Sequence, residues 1–178
     1  MTVFVLEGPD FAGKSTLVER IRGALEARGE TVAVTHTGPP DLLDAKPLAQ
    51  IYLDAAASPL DTDHLIFDRL HVGELVYGPI FRGQAHITQT DLTMIDDVLQ
   101  GRQAQLLYVR PPIETLIERF HGARGDDLLK QEEQLISAIT AYDSLIGPDC
   151  SGPWQLIDGS TLSDSDLNTL IGYGRPVN

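Results

Sequence analysis

Gly8-Pro9-Asp10-Phe11-Ala12-Gly13-Lys14-Ser15 reads G-x-x-x-x-G-K-S, the pattern of a phosphate-binding loop. The apolar run Val3-Phe4-Val5-Leu6 precedes it. Leu17, Ile21, Ala24 and Leu25, spaced by three or four, follow it. A strand, a glycine-bounded loop and a helix are the context that gives the pattern physical meaning. Glycines let successive N–H groups turn inward onto an anion. The helix beginning near Lys14 adds its positive dipole end. Lys14 has the reach for outer phosphates, and the Ser15 hydroxyl can ligate Mg²⁺.

Outward from that loop, short apolar runs alternate with helical patterns. Strands are expected at Val3–Leu6, Thr31–Thr35, His64–Asp68, Gln105–Val109 and Trp154–Asp158. Helices are expected at 14–28, 42–57, 88–100, 112–121, 127–146 and 163–171. Such alternation argues for an α/β fold: a five-stranded parallel sheet with helices on both faces, in three layers. The 178 residues then make one domain, 1–178. Ligands of such sheets sit at the carboxyl ends of strands. The segments to watch are therefore 7–15, 36–41, 68–83, 110–127 and 158–163. Asp91 and Asp96-Asp97 read as a solvated helix face, and Ser163 to Asp166 as a helix cap.

Composition narrows the partners. Hydrophobic residues are 42% of the chain, and no apolar run is long enough to span a bilayer. The single cysteine, Cys150, cannot close an internal disulfide, which suits a reducing cytoplasmic setting. No basic stretch precedes the first strand, so no signal peptide is expected. Net charge is −13, from 13 basic and 26 acidic residues, and this disfavours a nucleic-acid partner. The expected partner is a small-molecule nucleotide, with no membrane; a homodimer is compatible with the reading.

Further candidates cluster near the strand ends. Asp68-Arg69 closes the third strand. Asp68 there can hold Mg²⁺ directly or through water, and Arg69 can clamp a phosphate. Arg119 lies on the helix after Pro111-Pro112. Arg124 lies between Gly122 and Gly125, so a mobile, lid-like segment is expected near 119–127. Arginines there suit the charge that builds during phosphoryl transfer. Tyr77, Phe81 and Arg82 share one loop-helix segment, HVGELVYGPIFRG, where aromatics can stack on a base and an arginine can meet a phosphate. Asp10, beside bound phosphates, fits best if it points to the acceptor. His36 and His121 receive no role.

These residues resemble the thymidylate kinase family of P-loop nucleoside and nucleotide kinases, as a short and divergent member. The resemblance rests on Glu7 to Thr16, on Asp68-Arg69 with Tyr77 downstream, and on Arg119 to Arg124. Ile157-Asp158-Gly159-Ser160 resembles that family's adenine loop. It implies ATP with Mg²⁺, held by Gly8, Ala12, Gly13, Lys14, Ser15 and Thr16, with Asp158, Gly159 and Ser160 near the base. It implies a deoxynucleoside 5′-monophosphate acceptor, dTMP or a related pyrimidine deoxynucleotide first. Asp10 would meet the acceptor sugar and Arg69 its phosphate. The chain departs from the family pattern after the second strand, where it has Thr35-His36-Thr37-Gly38-Pro39-Pro40, and has no arginine between Arg28 and Arg69. Phe11 stands where some members carry an arginine, which leaves Arg119 and Arg124 to supply the charge. Two alternatives stand beside this reading. One is a kinase for an unphosphorylated nucleoside or a hydroxymethylated base, including one within DNA. The other is a nucleotide-binding regulatory protein without catalysis. None of Lys14, Lys46 and Lys130 sits in a guanine-specificity motif.

Overall fold

Five parallel strands line up in the order β2-β3-β1-β4-β5 in the computed structural model, which describes residues 2–38, 46–123 and 129–172. The strands are β1 Thr2–Glu7, β2 Val32–His36, β3 His64–Asp68, β4 Gln105–Val109 and β5 Gln155–Ile157. Central β1 and its neighbour β3 are buried along almost their whole length. That is why their sequences are continuous apolar runs and not alternating ones. Register places Leu6 beside Asp68 and Glu7 beside Tyr108, so the chemistry-bearing ends of β1, β3 and β4 meet at one edge.

The described helices are α1 Lys14–Glu26, α2 Leu48–Ala57, α3 Val72–Arg82, α4 Gln89–Gly101, α5 Ile113–Gly122, α6 Glu132–Ile146 and α7 Asp164–Leu170. The core divides into two clusters. One joins Phe4 and Leu6 of β1 to α1, α3 and α6; the other joins Val3 and Val5 to α2 and α4. The alternating side chains of β1 thus feed opposite layers. This is the three-layer P-loop kinase fold expected from the sequence.

Several boundaries differ from expectation. Helix α2 begins at Leu48, after Pro47; the earlier part expected from 42 falls mostly on residues 39–45, outside the described residues. Helix α6 starts at Glu132, because Gln131 forms a reciprocal cap with Gln134. Helix α3 forms most of the loop-helix segment expected within 68–83. Gly73, Gly78 and Pro79 weaken its local signal, but Val72, Val76 and Tyr77 bury its face. Gly78 is required there, since a Cβ would lie 2.8 Å from the Gln84 carbonyl oxygen. Arg124 and the last part of the expected mobile stretch, 124–127, lie outside the described residues.

The acidic face of α4 is corrected in part. Asp91 caps the helix with Thr88, and Asp97 is exposed. Asp96 is buried, facing His71 Nε2 at 3.0 Å and accepting from Trp154 Nε1 at 2.9 Å. Ser163 and Asp166 do form the reciprocal cap of α7.

Candidate active site

The phosphate loop leaves β1 at Gly8, whose φ is 148°. A Cβ there would sit 2.3 Å from the Val109 carbonyl oxygen, so the loop can pass over β4 only with glycine. Gly13, at φ 87°, hands the chain to α1. Ala12 is buried beneath the loop, while Ser15 and Thr16 are exposed on the first turn of α1. The loop therefore presents backbone N–H groups and the helix N-terminus to one place, a ready anion site.

Lys14 turns back onto the loop, donating to Gly8 O at 2.9 Å and Pro9 O at 2.6 Å. Burial, and next the charge of Arg69, lower its pKa from 10.5 to about 7. A phosphate chain in the loop would supply the negative charge that this ammonium lacks.

Ser15 Oγ donates to Asp68 Oδ2 at 3.0 Å. His36 Nδ1 lies 3.1 Å from the same oxygen, because β2 register sets His36 beside Asp68. Asp68 Oδ1 is buried and has no hydrogen-bond partner. A hydroxyl and a carboxylate oxygen with spare capacity fit a hard cation such as Mg²⁺, which takes few protein ligands and completes its shell with phosphate and water. Among the described residues, no group of three or more His, Cys, Asp or Glu that could hold a metal ion occurs.

Asp10 and Arg69 form an ion pair across the loop. Arg69 also donates to Gly8 O at 3.2 Å and sits 5.4 Å from the Tyr77 ring centre. It holds φ at 71°, a conformation uncommon for a side chain of this size. Glu7, unexposed, keeps this turn in place. Its Oε1 accepts from Leu70 N at 2.9 Å and Val72 N at 3.1 Å, and its Oε2 accepts from Tyr142 Oη at 3.1 Å. In the sequence Glu7 stands out only as the residue that precedes the glycine-bounded loop. An acidic residue ending a buried apolar strand was the available signal.

Tyr77 and its neighbours differ from the expected stacking platform. The Tyr77 hydroxyl accepts the Asp10 N–H at 2.9 Å, and the ring is buried against Phe81 at 6.1 Å and Tyr142 at 6.1 Å. Arg82 is turned onto buried Glu74. Tyr77 thus holds the loop backbone that carries Asp10.

Arg119 Nη1 donates to the Phe11 carbonyl at 2.9 Å, which seats its guanidinium on the loop. Asp158 accepts from Ser160 N at 3.0 Å and Ser160 Oγ at 2.5 Å. Burial pushes the Asp158 pKa upward, but Ser160, Thr161 and the charge of Arg119 hold it below the ordinary carboxyl value. Gly159 packs near Val109 and Leu17, so the 158–160 turn lies beside the loop. Exposed His121, facing half-buried Glu132 at 2.7 Å, lies at the end of α5.

No protein-family model matches the chain. The chain is 25% identical over 136 residues, 75% of each protein, to the SPbeta prophage-derived uncharacterized protein YorR of Bacillus subtilis strain 168. The crystal structure of B. subtilis YorR in complex with phosphorylated GDP superposes with a TM-score of 0.71. It is 21% identical, and 94% of this chain and 92% of that one are covered. Deoxyadenosine kinase from M. mycoides, with dCMP and dCDP bound, gives a TM-score of 0.53 at 20% identity, covering 96% and 95%. Polyphosphate kinase 2 from Arthrobacter aurescens TC1 gives 0.61 at 13% identity, covering 96% of this chain and 65% of that one. These likenesses establish the fold. Among the described residues, no helix is long and apolar enough to cross a membrane.

Proposed function

We propose that this protein transfers the γ-phosphoryl group of ATP to a deoxynucleoside 5′-monophosphate, with dTMP or a related pyrimidine deoxynucleotide the first acceptor to test. The observation that carries the reading is the convergence of Lys14, Ser15 with Asp68, Asp10 with Arg69, and Arg119 around one phosphate loop. The likeness to deoxyadenosine kinase and YorR supports a nucleotide-directed kinase.

In this reading an oxygen of the acceptor phosphate attacks the γ-phosphorus. The bond from that phosphorus to the β–γ bridging oxygen breaks, and ADP leaves. Little covalent work falls to the protein; its task is to place charge and to orient. Lys14 leaves the Gly8 and Pro9 carbonyls for the β- and γ-phosphates. Ser15 and Asp68 would hold Mg²⁺, which would offset the charge of the phosphates. Arg119 meets the charge that develops on the transferred group, with Arg124 as a second cation. Asp10 accepts a hydrogen bond from the acceptor sugar, and Arg69 takes its phosphate. Asp158, Gly159 and Ser160 border the donor base.

A second reading, an unphosphorylated nucleoside as acceptor, is favoured by one feature. Arg69 is already neutralised by Asp10 and satisfied by Gly8 O, so it has no need of an acceptor phosphate. An ADP-release assay across paired nucleosides and 5′-monophosphates, guanine and thymine compounds included, decides between them. The first reading expects each monophosphate to outpace its nucleoside. If the nucleosides are preferred throughout, the second reading replaces it.

A further inference from the structure

Phe11 brings no charge to the phosphate loop, yet its backbone is held in the left-handed region, at φ 66°. Bulky side chains rarely stand there without support. The support comes from two consecutive residues in the last turns of α5. Arg119 Nη1 donates to the Phe11 carbonyl at 2.9 Å. The Phe120 ring meets the Phe11 ring edge to face, with centres 5.6 Å apart and planes at 84°. Arg119 Nη1 also comes within 3.4 Å of the point a Cβ on Gly13 would occupy, so the guanidinium lies directly against the loop.

An arginine loses much rotamer freedom when it is fixed, and one hydrogen bond to a neutral carbonyl at a half-exposed position offsets little of that loss. The aromatic contact adds what the hydrogen bond lacks. It sets the height and rotation of the end of α5 against the loop, and so fixes where the arginine side chain begins. Both rings are half-buried and pack against the main core, so the contact is anchored at both ends.

We propose that the Phe11–Phe120 pair is a positioning device that seats the Arg119 guanidinium over the phosphate loop before any substrate arrives. Neither ring touches the reacting atoms; both act through Arg119. The consequence for catalysis rests on the kinase reading above, whereas the seating itself does not.

The test uses the full chain with Phe120→Leu, which keeps apolar bulk at the site, and Phe120→Tyr, which keeps the ring. The first readout is ¹⁵N relaxation of the Arg119 Nε–H group, which needs no substrate. Arg119 should be ordered in the wild type and in Phe120→Tyr, and disordered in Phe120→Leu. The second is a double-mutant cycle on turnover with Arg119→Ala. Phe120→Leu should lower kcat about tenfold or more in the wild-type background, since small misplacements of a catalytic group are costly. In the Arg119→Ala background it should change kcat by less than about twofold. Undiminished Arg119 order in folded Phe120→Leu, or additive effects on kcat, overturns the proposal. Loss of order in a protein whose wild type transfers no phosphate would leave the seating intact and remove the kinase reading instead.

Discussion

Removing the Glu7 carboxylate should damage the fold and the acceptor site together. Glu7 accepts two backbone N–H groups, those of Leu70 and Val72, and the Tyr142 hydroxyl, all out of solvent. Glu7→Ala leaves both amides without a partner. Each stranded buried donor costs about 1–3 kcal/mol, so the two together cost about 2–6 kcal/mol. The void left by the side chain and the stranded hydroxyl add to this, which favours the upper half of that span. Total stability for a domain is about 5–15 kcal/mol, so the variant should be near the edge of folding. Glu7→Gln keeps an oxygen for the two amides and should cost only about 1–2 kcal/mol, since it mainly exchanges charged hydrogen bonds for neutral ones. Urea unfolding with an unchanged m-value measures both. The two amides lie just after Arg69 in the turn it opens, so Glu7→Ala should also raise the acceptor KM more than that of ATP. A Glu7→Ala protein within about 1 kcal/mol of the wild type would refute the reasoning, because stranded buried donors cannot be that cheap.

Other consequences can be checked separately. Lys14 is held down to about 7, so the folded state carries fewer protons than the unfolded one between that value and 10.5. Stability should therefore rise with pH from about 7 upward, and the rise should vanish in Lys14→Met, as unfolding series at several pH values will show. Anionic ligands restore the charge, so ATP binding near pH 8 should take up a proton, seen by calorimetry in buffers of different ionisation enthalpy. Asp96→Ala removes one acceptor from both His71 and Trp154 inside the core and should cost about 2–4 kcal/mol in urea. Arg69→Ala should weaken use of a monophosphate far more than ATP binding; equal losses in titrations of both ligands would place Arg69 on the donor side.

The phosphate-loop end of the candidate site was legible in the sequence because local rules govern it. Gly8, Gly13, Lys14 and Ser15 are set by their spacing, and the strand and helix flanking them follow from period alone. Asp68 was placed by its position at the end of an apolar run. What stayed hidden depends on distant pairs. Helix α3 is weak by propensity and stands because Val72, Val76 and Tyr77 are buried by other elements. The partners of Glu7 are 63, 65 and 135 residues away, a separation no window reveals. Asp96 read as a surface acid because its partners, His71 and Trp154, arrive from elsewhere in the chain. Tyr77 looked like a stacking residue because sequence cannot show that its hydroxyl takes the Asp10 amide.

The central claim is that Lys14 and its loop drive transfer of the γ-phosphoryl group from ATP to a small nucleotide. The most direct measurement follows γ-labelled ATP with Mg²⁺ and a panel of acceptors, comparing wild type with folded Lys14→Ala. The account predicts label moving stoichiometrically from ATP to one class of acceptor in the wild type, and a loss of about 100-fold or more in Lys14→Ala, the scale for removing a contact to developing charge. Transfer by Lys14→Ala at the wild-type rate, or no transfer to any acceptor by the folded wild type, would contradict it.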